Sequence, residues 1–87
     1  MKQKDFEEMI RFMKEENQIM GWNALDVNVK DLLKTAESTA VKECAHAVLA
    51  CMLEGDQFIQ GSAENPGKDL AVRYWCDNLS ESRRRMF

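Results

Sequence analysis

The chain has 87 residues, a formal charge of −3 and a pI near 5.1. That length allows one domain at most, and the acid excess excludes a protein that is basic overall and built to coat nucleic acid. With 45% hydrophobic residues it has material for a core, while one proline and four glycines favour long uninterrupted elements.

The N-terminus, MKQKDFEEMI, carries acids where a secretory signal needs an apolar run, and nowhere does the chain approach the roughly 18 apolar residues of a membrane span. Together with an odd number of cysteines, three, this gives the expectation of a reduced, cytoplasmic protein without structural disulfides.

Residues 3–20 predict a helix. Phe6, Met9, Ile10, Met13 and Met20 recur at helical spacing and share one face, with Glu7, Arg11, Lys14 and Gln18 on the other. Gly21 is placed to end it. After a connector, Asn28 is a good N-cap, Asp31 favours the following helix N-terminus, and Val27 and Leu32 can staple across the cap. With Gly55 the one weak point, the apolar pattern predicts a single central helix over about 29–60, roughly 48 Å long at 1.5 Å per residue. Asn65–Pro66 reads as the N-cap and first residue of a third helix over 66–85, with Ala71, Val72, Trp75, Cys76, Leu79 and Met86 as its apolar face. The expected fold is therefore all-α: a single three-helix domain with a long central helix, assembling as a homo-oligomeric helical bundle.

Cys44, His46 and Cys51 suggest a metal site by proximity in sequence. On a helix, however, the two cysteines point one way and His46 turns about 200° from Cys44, so the ligands do not converge. What aligns instead is a row of small residues, Ala36, Ala40, Cys44, Ala47, Cys51 and Gly55, suited to close approach of another helix from the same or a second chain. His46, beside Lys42 and Gln57, is expected on the solvated side.

Met9 and Met13 are candidates for partner binding, since methionine faces adapt to grooves as well as filling cores. Tyr74, expected to stand outside the third helix's apolar face, joins Arg73, Arg84 and Arg85 as candidates for an anionic, nucleotide-like ligand. The planar guanidinium fork suits phosphate or carboxylate, and an aromatic can stack a base. Glu81 can pair with Arg84 and Arg85, and Arg73 with Asp77.

No catalytic constellation, glycine-rich phosphate loop or basic reading helix is legible, so no enzyme activity, cofactor or metal is expected. A nucleophilic role for Cys44 or Cys51 would need an accessible, acidified thiol. The functional expectation is a small non-enzymatic regulator that sequesters or inhibits a partner: a chaperone, an antitoxin or a phage-type anti-defence inhibitor, by analogy of size and character. The alternative is an oligomeric sponge for a nucleotide-like anion.

Overall fold

The computed structural model describes residues 1–77 and 83–87. It has six elements in chain order: α1 (Gln3–Ile19), β1 (Ala24–Asn28), α2 (Val29–Ala36), α3 (Val41–Ala50), β2 (Gln57–Gln60) and β3 (Ala71–Trp75). The three strands form one antiparallel sheet in the order β1-β3-β2. The domain is thus mixed α and β, and the all-α bundle expected from periodicity is overturned.

α1 ends where Gly21 suggests, and its start is held by a local bond. The Asp5 carboxylate accepts from the Lys2 amide at 2.9 Å. At the other end Gly21 takes φ 80°, with Gly21 N–H donating to Gln18 C=O and Trp22 N–H to Asn17 C=O, the two bonds of a Schellman turn. Asn28 caps α2 by accepting from the Asp31 amide at 2.8 Å.

The expected central helix over 29–60 breaks twice. The first break is at Glu37, which adopts the left-handed conformation at φ 51°. Glu37 N–H donates to Lys34 C=O and Ser38 N–H to Leu33 C=O, again a Schellman turn, here without glycine. Ser38 Oγ then accepts from the Ala40 amide at 3.1 Å, and α3 starts at Val41. The second break comes after Cys51. Leu53 N–H donates to the Asp56 carboxylate at 2.8 Å and Asp56 N–H to Leu53 C=O at 2.9 Å, closing a turn around Gly55 at φ 97°. Beyond this turn the chain enters β2 and not more helix.

The expected helix over 66–85 is replaced by β3. Leu70, Val72, Tyr74 and Cys76 are all buried, while Ala71, Arg73 and Trp75 lie half-exposed between them. That period of two is a strand's, and this strand sits between two others with one face on the helices. Leu79 and Glu81, assigned to that helix, lie outside the described residues.

One core joins the layers. Phe6 and Ile10 of α1, Val29, Leu32 and Leu33 of α2, Cys44, Ala45, Ala47 and Val48 of α3, and Val72 and Tyr74 of β3 are buried together. Arg85 bridges antiparallel to Leu53, and Met86 N–H donates to Met52 C=O, so the C-terminal residues lie against the segment after α3.

Candidate functional site

The expected contact row divides along the chain. Cys44 and Ala47 are wholly buried, Ala36, Ala40 and Cys51 are half-buried against the core, and Gly55 is exposed in its turn. α3 packs on α1 and α2 of its own chain, so small residues here allow close packing within the domain. Met9 and Met13 are half-buried against the same core.

The four candidates for an anion are dispersed. Tyr74 is wholly buried because 71–75 is a strand: Val72 and Tyr74 alternate inward, and Tyr74 Oη donates to Val48 C=O at 2.6 Å. Arg73, facing outward, pairs with Asp26 across the β1–β3 ladder through Nε at 2.7 Å and Nη2 at 2.9 Å. Its guanidinium holds the Asp26 carboxyl below the usual range. Arg84 is tied to Glu54 through its backbone. Arg85 alone of the four lines a cleft.

That cleft, of about 460 Å³, lies between α1 and the chain following α3. Glu7, Arg11, Lys14 and Glu15 form one wall, Ala50, Cys51 and Leu53 the other, and Arg85 closes it. Helical periodicity alone puts Lys14 on the solvated face of α1, yet it is 8% exposed. Its ammonium donates to Cys51 C=O at 2.7 Å and lies 4.3 Å from the centre of the Tyr74 ring. Burial lowers its pKa. Burial likewise pushes the Cys51 thiol up to about 11, partly countered by Lys14, so at neutral pH it is a thiol and a poor nucleophile. Cys44 is also pushed up to about 11.

His46 is half-buried in a shallower hollow shared with Gln3, Leu49, Ala50, Arg85 and Phe87. Among the described residues no three His, Cys, Asp or Glu side chains cluster closely enough to hold a metal ion, and no helix is long and apolar enough to cross a membrane.

The surface feature that periodicity missed is the outer face of α1. Phe12 is 60% and Ile19 85% exposed, seven residues apart and so nearly superimposed in angle. Asp5, Glu8, Glu15 and Glu16, all exposed, fall within about 60° of Phe12 around the helix axis. Met20 and Trp22, just past the helix, are also largely exposed. A second exposed apolar group, Phe58, Ile59, Met86 and Phe87, lies where edge strand β2 meets the C-terminal residues, with the Phe58 and Phe87 rings in an edge-to-face contact at 6.2 Å. The register of β2 shifts between Phe58 and Gln60, which spoils that edge as a template for another strand.

In connectivity, α2, a four-residue turn and α3 form a helix-turn-helix beside a three-stranded sheet. Comparison with family models, with curated proteins and with solved structures finds no match for this chain.

Proposed function

We propose that the domain is a non-enzymatic protein-binding module that docks the outer face of α1 into a partner's apolar groove. The observation that carries this reading is the line of Phe12 and Ile19, large apolar side chains left in water and flanked by four carboxylates. An exposed apolar line at helical spacing is the pattern of a helix that lies in a groove. The carboxylates on both sides select a groove rimmed by lysine or arginine, and they repel nucleic acid and anionic membrane. Sequestration or inhibition of the partner is the regulatory outcome this geometry suits.

A nucleic-acid reading rests on the helix-turn-helix connectivity, since such a motif presents its second helix to a groove of DNA. The charge opposes it. Residues 29–43 and the 61–70 loop carry four lysines against five acids, and Lys30 is already paired with Asp69 at 3.2 Å. Phosphate contacts need a basic surface, which this one is not.

Size-exclusion of the protein from cells that produce it naturally tests the proposal. The wild type should elute in an assembly well above its own 10.1 kDa, and a Phe12→Ser/Ile19→Ser variant should elute at its own mass with an unchanged circular dichroism spectrum. Elution of both at the monomer mass, or of both in the same assembly, would overturn the docking assignment.

A further inference from the structure

Lys14 is difficult to explain as part of a core. Removing an ammonium from water costs several kcal/mol unless a counter-ion and hydrogen bonds replace the water. Here the ammonium has a carbonyl and a ring face. Among the described residues Lys14, Arg11 and Arg85 are in no ion pair. All three line the same cleft, with Glu7 and Glu15 as its acids, so it carries a net charge of +1 in a chain of net −3. Arg11 and Arg85 are exposed residues of its lining, and Ala50 and Leu53 supply apolar wall. Ammonium donors remain after the single bond to Cys51, because a lysine has three.

We propose that this cleft binds a small monocarboxylate with a short apolar body, its carboxylate held by Lys14, Arg11 and Arg85. The net charge of +1 matches one negative charge rather than two. The guanidinium forks present paired donors to a planar carboxylate. The Ala50 and Leu53 wall receives the apolar body, and the volume of about 460 Å³ suits a small molecule rather than a peptide segment. The cleft shares Glu15 with the acidic flank of the Phe12–Ile19 line, so a partner docked on α1 lies beside the bound carboxylate.

Nuclear magnetic resonance titration with hexanoate tests this, with hexanol and inorganic phosphate as controls at matched ionic strength. Hexanoate should shift the amides of residues 7–15 and 50–53 saturably, and neither control should. Arg11→Gln and Arg85→Gln, both at exposed positions where the fold is not at stake, should each weaken hexanoate by about tenfold, the loss of one charge-assisted contact. Lys14→Met should abolish binding, and Lys30→Gln, outside the cleft, should leave it unchanged. No saturable shift with hexanoate, an equal shift with hexanol or phosphate, or full affinity in both arginine variants would each overturn the assignment.

Discussion

Asp56 and Arg83 join at 2.8 Å across 27 residues of chain, with the carboxylate wholly out of solvent. Asp56 also accepts from the amides of Leu53 and Trp75, and Arg83 donates to the carbonyls of Glu54 and Trp75. The pair thus fastens the end of β3, the turn after α3 and the start of the C-terminal residues to one another. Nothing in the spacing of these two residues announces it.

Breaking a buried pair leaves an uncompensated group behind, so Asp56→Ala should lower stability by about 3–5 kcal/mol. Urea unfolding checks the value. Asp56→Asn should cost less, because the amide oxygen can still accept from one of the two backbone amides.

Glu37 makes an unusually direct test of the break between α2 and α3. Its left-handed backbone costs an L-residue about 1 kcal/mol that glycine avoids. Glu37→Gly should therefore stabilise the protein by about that amount, which is about 4–8 °C in melting temperature for a domain of this size. Were 29–60 one helix, the same substitution would lose about 1 kcal/mol. The sign of the shift in a thermal melt distinguishes the two.

Lys14→Met keeps the length of the side chain and removes its buried charge. The change in stability should be within about 1 kcal/mol, since replacing buried ions by apolar groups is often neutral or favourable. A loss of several kcal/mol in urea unfolding would make Lys14 a structural residue instead of a ligand-binding one.

Alkali should unfold the protein early. Burial raises the thiols of Cys44 and Cys51 to about 11 from 9.0, and raises the Tyr74 hydroxyl as well. A group whose folded pKa lies above its unfolded value contributes stability that is complete below the unfolded value. That contribution is lost as pH climbs through the folded one. Lys14, lowered from 10.5, acts in the opposite sense, because its folded form releases the proton first. With the Cys76 thiol also raised by burial, three thiols and a phenol outweigh one ammonium, so urea midpoints should fall steadily from pH 9.0 to about 11. Lys14→Met should steepen that fall. Tyr74→Phe should flatten its upper end, at a cost of about 1 kcal/mol at neutral pH for the lost bond to Val48.

The elements governed by local chemistry were readable in the sequence. Gly21 ends α1, and Asn28 with Asp31 starts α2, because a glycine at positive φ and an N-cap side chain act through neighbours in the chain. The breaks that set the fold were not. Glu37 stands where glycine would be the signal, and Ala40, Cys44, Ala47, Cys51 and Gly55 keep helical spacing across two real helix ends. In 70–76, Val72, Trp75 and Cys76 satisfy a helical period as well as Leu70, Val72, Tyr74 and Cys76 satisfy a strand's. Burial between β1 and β2 decides for the strand. The candidate cleft was hidden for a related reason. Lys14 and Arg11 read as solvated helix residues until the segment after α3 and Arg85 are folded against them. The proposed docking face was also obscured, because Met9 and Met13 mark the inner side of α1, and Phe12 and Ile19 fall outside that stripe.

The proposed role has α1 packing with one face and docking with the other. A photo-crosslinking side chain at Ile19, compared with the same group at Lys42 on α3, tests it most directly in cells that produce the protein. One discrete adduct is expected from position 19, formed with a different protein through an apolar groove rimmed by lysine or arginine, and none from position 42. An adduct from position 42 alone, a nucleic-acid adduct, or an adduct with a second copy of this chain would contradict it.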